Sequence, residues 1–113
     1  MVRGKSFDTF CPIGPWIVTG DEILDPQALT VRCRVDGTLR QNGSTADMIF
    51  DVATLVSYIS DAFTLEPGDL ILTGTPAGVA MGQSPPPWLQ PGQLYEVEIP
   101  HIGVIANRIV GET

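Results

Sequence analysis

The sequence predicts an α+β fold that is mainly β, and three observations support this. The 113 residues include 12 glycines and 10 prolines without a repeating period, which is typical of a chain with many turns. Several short segments alternate apolar and polar residues, as half-buried strands do. Only one segment has the apolar spacing of a helix. No shift in composition divides the chain, so residues 1–113 are expected to form one domain.

The clearest strand pattern lies at residues 29–35, where the apolar residues fall at every second position. Asp36 and Gly37 follow as a hairpin turn, and residues 38–41 begin the return strand. The remaining strands are predicted at residues 16–18, 70–72, 94–99 and 104–110.

The predicted helix begins after Asp51, whose carboxylate can cap the first turn. The apolar residues that follow at helical spacing are Val52, Leu55, Val56, Ile59 and Phe63. We expect the helix to end near Phe63, because a turn at residues 66–69 contains Pro67 and Gly68. Residues 83–91 are expected to form a proline-rich loop.

Composition and charge limit the classes of function. The hydrophobic content of 43% argues against disorder, and the net charge of −7 argues against a nucleic-acid partner. No apolar run is long enough to cross a membrane and no secretory leader is apparent, so a cytoplasmic location is expected. Cys11 and Cys33 lack metal-site spacing; buried reduced thiols are favoured over a disulfide.

Two segments could bind an anionic substrate. Lys5 stands beside Ser6 and Asp8; a lysine there is usually a surface residue, but its cation could bind a carboxylate or polarise a carbonyl oxygen. The segment LTGTPAGV, residues 72–79, combines glycines with hydroxyl groups. It could be a strand-terminating turn or an anion-binding nest, and local chemistry favours neither.

Other polar residues are weaker candidates. Glu96 and Glu98 lie on the same side of a predicted strand and could bind one divalent metal, but an exposed strand face with alternating charges is favoured. His101, the only histidine, follows Pro100 in a predicted turn and is expected to be solvated.

Taken together, the residues resemble the fumarylacetoacetate hydrolase family. The similarity covers nearly the whole chain and is carried by four segments in matching order and spacing: KSFDTFCPIGPWIVT, DPQALTVRCRVDGTLRQNGSTADMIFDVATLVSYIS, TLEPGDLILTGTPAGVAMGQSPPPWLQPGQ and YEVEIPHIGVIANRIV. The resemblance implies a mixed β-sandwich roll, usually dimeric. It also implies a Mg²⁺ cofactor, in some members Mn²⁺ or Ca²⁺, and a small-molecule 2-oxo or 2,4-dioxo acid substrate. The reactions are hydrolysis or cleavage of a C–C bond, decarboxylation, isomerisation or hydration.

The resemblance also implies two catalytic residues. Lys5 matches the family's active-site lysine, which contacts the substrate near the metal. Thr75 matches the threonine of the family's TGTP loop, which helps to hold the substrate carboxylate, and Gly74 before it leaves the backbone accessible to substrate.

The family's metal ligands, a Glu-x-Glu pair and an aspartate, precede the lysine segment and have no counterpart in residues 1–113; Glu96 and Glu98 match an ordinary strand instead. The chain is therefore expected to be the C-terminal portion of a catalytic domain, incomplete at its N-terminal side, inactive alone and prone to self-association. The alternatives are a non-catalytic structural or interaction domain, and one chain of a split enzyme.

Overall fold

A computed structural model, which describes residues 3–111, shows one antiparallel sheet of four strands beside one α-helix. The strands follow the spatial order β2-β1-β3-β4. Their bounds are β1 Thr30–Val35, β2 Thr38–Ser44, β3 Leu94–Ile99 and β4 Gly103–Arg108, and the helix α1 spans Val52–Ser60. The predicted class, mainly β with one main helix, is confirmed.

The turn between β1 and β2 also fixes the start of β3. Asp36 and Gly37 both have positive φ angles, of 48° and 76°, as the predicted two-residue hairpin requires. The backbone N–H of Asp36 donates to the carbonyl oxygen of Leu94 at 2.9 Å, and its Oδ1 accepts from the N–H of Leu94 at 2.8 Å. One turn residue therefore joins the hairpin to the neighbouring strand.

The helix α1 begins where the sequence predicts and ends slightly earlier. Asp51 caps it by accepting from the N–H of Thr54 at 2.6 Å, and hydrogen bonding from the side chain of Thr54, followed by that from its backbone, lowers the pKa of the Asp51 carboxyl. The helix ends at Ser60, although the N–H of Phe63 still donates to the carbonyl of Ile59 at 2.9 Å. A single helical turn thus continues to the predicted end.

Two predicted strands are wrong. Residues 16–18 and 70–72 form no ladder with any other part of residues 3–111. Ile17 is 86% exposed and Leu72 is 81% exposed, so each segment leaves at least one apolar side chain uncovered. A short apolar run becomes a strand only when the tertiary structure supplies a partner for its backbone.

Two smaller expectations also need correction. The last strand, β4, ends at Arg108 rather than at Val110. Cys33 is buried and reduced as expected, whereas Cys11 is reduced but exposed.

The sheet leaves much apolar surface uncovered. The accessible surface is 9133 Å², whereas a compact monomer of 12.1 kDa exposes about 6,000 Å². The radius of gyration is 15.5 Å, compared with about 13 Å for a compact chain of this length. Among the described residues only Cys33 and Val35 are buried apolar side chains. This uncovered area is of the size that obligate interfaces bury.

None of the helices formed by residues 3–111 has the length and apolar character needed to cross a membrane.

We expect the chain to self-associate in solution, because exposed apolar side chains such as Phe63 are stabilised by burial. Light scattering over a dilution series should give a mass that falls with dilution. Phe63→Gln should weaken the association, whereas Thr64→Gln, at the exposed polar neighbour, should leave it unchanged. A monomeric mass at all concentrations, without binding of an apolar dye, would contradict this expectation.

Candidate functional site

A cleft of about 230 Å³ lies between the apolar face of the sheet and the loop segment that follows α1. Cys33, Val35 and Tyr95 contribute from β1 and β3, and Arg40 and Gln41 contribute from β2. The loop residues that line the cleft are Thr75, Gly78, Val79, Ala80, Gln83, Pro87 and Leu89. The cleft therefore has an apolar sheet surface and a polar edge formed by β2 and the TGTP loop (residues 73–76).

A β-bulge brings two consecutive polar residues of β2 into this cleft. Cys33 pairs with Gln41 and Arg34 pairs with Leu39, so Arg40 is an extra residue in the ladder. A bulge interrupts the strict alternation of side chains between the two faces of a sheet. Arg40 and Gln41 can consequently both line the cleft, although they are adjacent in sequence.

Gln41 joins β2 to the TGTP loop through two hydrogen bonds. Its Nε2 donates to the Oγ1 of Thr75 at 2.9 Å and to the carbonyl oxygen of Pro76 at 2.7 Å. The loop is thus held on the sheet by a side chain 34 residues earlier in the chain.

The loop can approach β2 because the strand has a glycine, Gly43, and the loop has a glycine, Gly78, where the two segments meet. A Cβ at Gly43 would lie 2.5 Å from the Cβ of Pro76, which is too close for a real contact. A Cβ at Gly78 would overlap the carbonyl oxygen of Arg40, and the φ angle of Gly78 is +107°. Both contacts place the loop directly against the strand that carries Gln41.

Gly74 and Thr75 are exposed at the edge of the sheet. Gly74 has a φ of +118°, and no atom lies within 4 Å of the position that a Cβ would occupy there. The backbone at Gly74 is therefore open on that side. The segment LTGTPAGV is a turn packed on β2, and its ability to bind an anion stays a prediction.

Lys5 lies apart from this cleft. It ends a short 3₁₀ helix, Arg3–Lys5, its side chain is exposed, and it makes no hydrogen bond or ion pair within residues 3–111. It does not line the cleft, so the structure does not bring Lys5 and Thr75 into one pocket.

The segment after Lys5 is attached to the sheet at the turn between β3 and β4. The rings of Phe7 and Phe10 pack with their centroids 5.4 Å apart. The indole Nε1 of Trp16 donates to the carbonyl oxygen of Ile102 at 2.8 Å, and the indole ring packs where a Cβ at Gly103 would lie.

The arginines on the two faces of the sheet differ in their partners. Glu98 accepts from Arg34 Nη1 at 2.7 Å and lies 3.7 Å from Arg32 Nη1. The hydrogen bond from Arg34 lowers the pKa of the Glu98 carboxyl. The guanidinium of Arg40, in contrast, makes no ion pair or hydrogen bond with any described residue, and Arg40 as a whole residue is half-buried beside the cleft.

The described residues do not fit a metal site. Residues 3–111 contain no group of three His, Cys, Asp or Glu side chains that could hold a metal ion. Glu98 is engaged by two arginines, so the Glu96 and Glu98 pair behaves as a charged strand face rather than as a chelating pair.

Tyr95 is a half-buried hydroxyl donor that lines the cleft. Burial raises the pKa of Tyr95 to about 12, and the neighbouring Cys33 thiol adds to the shift. The phenol is therefore neutral at physiological pH and can donate a hydrogen bond but cannot act as an anionic base.

Sequence analysis missed Arg40, Gln41 and Tyr95 as cleft residues. The predicted return strand includes Arg40 and Gln41, but strict alternation would have placed them on opposite faces. A bulge cannot be read from this sequence, since Arg40 lies between ordinary strand residues.

Comparisons with known proteins give a consistent result. The family model described as "Fumarylacetoacetate (FAA) hydrolase C-terminal" matches residues 1–110. The chain is 48% identical over 107 residues to the mitochondrial oxaloacetate tautomerase Fahd2a of Rattus norvegicus, covering 95% of this chain and 34% of that protein. It is 51% identical over 108 residues to a 2,4-didehydro-3-deoxy-L-rhamnonate hydrolase of a Sphingomonas species, covering 95% and 38%.

Solved structures agree with the sequence comparisons. A fumarylacetoacetate hydrolase from Exiguobacterium antarcticum matches with a TM-score of 0.93 and 50% identity, covering 97% of this chain and 39% of that chain. A maleylpyruvate hydrolase from Sphingobium sp. SYK-6, in complex with manganese (II) ion and pyruvate, matches with a TM-score of 0.88 and 38% identity, covering 97% and 39%. The chain thus spans between about a third and two fifths of the length of these proteins.

The contact between Gly43 and Pro76 predicts a specific loss of stability. Gly43→Ala should lower the free energy of unfolding by about 1–3 kcal/mol, the usual cost of overpacking. Gly20→Ala is the matched control, since a Cβ there meets no atom within 4 Å. Urea denaturation measures both. Adding Pro76→Gly to Gly43→Ala should restore part of the loss; equal stability of the two single variants would exclude a steric contact.

The pKa of Tyr95 can be measured directly, because Tyr58 is the only other tyrosine. In a Tyr58→Phe variant, the ultraviolet absorbance of tyrosinate should rise with a midpoint near pH 12, compared with about 10 for a free tyrosine. Because the folded-state pKa is raised, this contribution to stability is complete below about pH 10 and is lost as the pH rises toward 12. A midpoint near 10 in the folded protein would show that Tyr95 is not buried.

Proposed function

The chain belongs to the fumarylacetoacetate hydrolase family, and we propose that it supplies the lysine and the TGTP loop of a metal-dependent active site for 2-oxo or 2,4-dioxo acids. The observation that carries this proposal is the position of Thr75, fixed on β2 by Gln41 at the edge of an apolar cleft. The relatives are hydrolases, isomerases and tautomerases of this family that act on oxo acids.

In the proposed reaction the chain's own residues bind and polarise the substrate. The hydroxyl of Thr75 and the open backbone at Gly74 hold the substrate carboxylate. Lys5 lies outside the cleft of this chain, so in the proposed active site its ammonium group would contact the oxo group from another side of the substrate and stabilise the negative charge that develops on its oxygen. This charge is common to cleavage of the C–C bond, decarboxylation and isomerisation, and the choice among them depends on groups other than these three residues.

When bound, a divalent metal, Mg²⁺ or alternatively Mn²⁺ or Ca²⁺, would polarise the oxygen atoms with which such a substrate chelates it. The maleylpyruvate hydrolase complex contains manganese, so a relative binds a divalent ion. Residues 3–111 do not fit such an ion, and we propose that its ligands belong to a part of the functional enzyme other than the described residues.

The uncovered apolar surface favours a partner for this chain. The accessible surface of 9133 Å² supports burial against further protein, whether a second copy or a complementing chain that carries the metal ligands. In either arrangement the chain would be inactive alone. It could instead be a non-catalytic interaction domain, and turnover by a chimeric enzyme distinguishes the two.

The cytoplasmic location stays a prediction, since relatives include mitochondrial enzymes.

The test is a chimeric enzyme in which this chain replaces the matching segment of the Sphingomonas hydrolase, to which it is 51% identical. We expect the chimera to retain Mg²⁺-dependent turnover of that enzyme's own substrate. Lys5→Met and Thr75→Ala should each lower kcat/KM by about 10- to 1,000-fold, the scale of losing a preorganised donor. Steady-state kinetics at saturating Mg²⁺ measures the effect.

Two matched controls accompany these variants. Arg3→Met removes a cation from the same 3₁₀ helix as Lys5, and Thr73→Ala removes the other hydroxyl of the TGTP loop; both should leave kcat/KM nearly unchanged. Equal losses in variants and controls would remove the site assignment. A folded chimera that binds Mg²⁺ but lacks turnover would favour the non-catalytic domain.

A further inference from the structure

The hydrogen bonds of Thr75 leave its proton available to a ligand. The Oγ1 of Thr75 accepts a hydrogen bond from Gln41, and the hydroxyl donates to no acceptor among the described residues. A hydroxyl group has one proton to donate in addition to its acceptor lone pairs. With one lone pair occupied by Gln41, the proton is directed away from that amide.

The orientation of the Gln41 amide is itself determined by its surroundings. The carbonyl oxygen of Pro76 can only accept, and it lies 2.7 Å from Nε2 of Gln41. Rotating the amide by half a turn would place Oε1 against that carbonyl, where two acceptors repel. The same amide nitrogen must therefore donate to Thr75, which leaves the threonine proton available for donation to a further partner.

Arg40 supplies a positive charge to the same edge of the cleft. The bulge in β2 places it beside Gln41, and both side chains line the cleft with Thr75. Arg40 is a half-buried residue whose guanidinium has no anionic partner within residues 3–111, whereas Arg32 and Arg34 share Glu98. A half-buried cation without a counter-charge favours an anionic ligand, and a planar carboxylate matches the guanidinium geometry.

We propose that Arg40 and Thr75 together bind a carboxylate in this cleft, and that Gln41 is the positioning residue that orients the Thr75 hydroxyl as a donor. The inference rests on the proposed function, because Thr75 is taken there as a substrate residue. Beyond that function, Arg40 is assigned the positive charge that selects an acid over a neutral oxo compound. Gln41 is assigned the role of orienting the donor.

The experiment titrates the full chain with pyruvate and with pyruvamide, its neutral amide of nearly the same shape. Amide nitrogen–proton correlation spectra of the isotope-labelled chain report the binding. Pyruvate should shift the signals of the Thr75 backbone amide, the Gln41 side-chain amide and the Arg40 Nε–H. Pyruvamide should shift them much less at the same concentration, because it lacks the charge.

Substitutions then test the charge. Arg40→Gln should weaken pyruvate binding by about 10- to 100-fold, the scale of a hydrogen bond to a charged group. Arg32→Gln removes an arginine of the opposite face, next to Glu98, and should leave the affinity unchanged. Arg40→Lys keeps the charge but not the planar fork and should give an intermediate affinity. The spread of amide signals shows whether each variant keeps the fold.

Two nearly isosteric variants test the positioning role of Gln41. Gln41→Met fills similar space without hydrogen bonds, so it should weaken pyruvate binding severalfold by freeing the Thr75 hydroxyl to rotate. Gln41→Glu introduces an acceptor that captures the Thr75 proton, so it should weaken binding further. A side chain that only filled space would give wild-type affinity in both variants.

The outcomes separate this inference from the proposed function. Unchanged affinity in Arg40→Gln, or equal shifts with pyruvamide, would overturn it. If Thr75→Val weakens pyruvate binding and Arg40→Gln does not, Arg40 is excluded while Thr75 keeps its proposed substrate role. If pyruvate shifts none of these signals, the carboxylate site is absent from the chain, and the chimera kinetics then judge the proposed function independently.

Discussion

The close approach of the TGTP loop to β2 is the constraint on which the candidate site depends. Gly43 gives room for Pro76, and Gly78 lies against the carbonyl of Arg40, so the loop rests on the strand without an intervening layer. At this separation one glutamine reaches both Thr75 and Pro76. The Thr75 hydroxyl, although exposed, is thereby joined to the strand by a hydrogen bond, which favours the preorganisation that electrostatic binding requires.

The two faces of the sheet differ in whether their arginines have a counter-ion. On one face Arg32 and Arg34 share the carboxylate of Glu98 as a counter-ion. The opposite face is largely apolar, and its polar groups include Tyr95, Asn107 and, at the β2 bulge, Arg40 and Gln41. An uncompensated cation at the edge of an apolar surface is an arrangement suited to an anionic substrate. The remaining apolar surface is extensive, which fits a chain shorter than the family members it matches.

Much of the fold could be predicted from local sequence because local physics determines it. The alternation before Asp36 and the turn at Asp36 and Gly37 give the hairpin, and Asp51 gives the start of the helix. The failures share one cause. Residues 16–18 and 70–72 are apolar and short, and whether they pair as strands depends on partners that sequence periodicity does not reveal.

By itself, the sequence determined the family, the mainly β class and the candidate residues Lys5, Gly74 and Thr75, since these follow from residue types and their spacing. Only the tertiary structure decided that Thr75 faces Gln41, that Arg40 lines the same cleft, and that Lys5 lies outside it. The physical reason is the bulge and the glycine contacts. They depend on how distant segments pack, and one extra residue in a ladder changes which face the neighbouring side chains occupy.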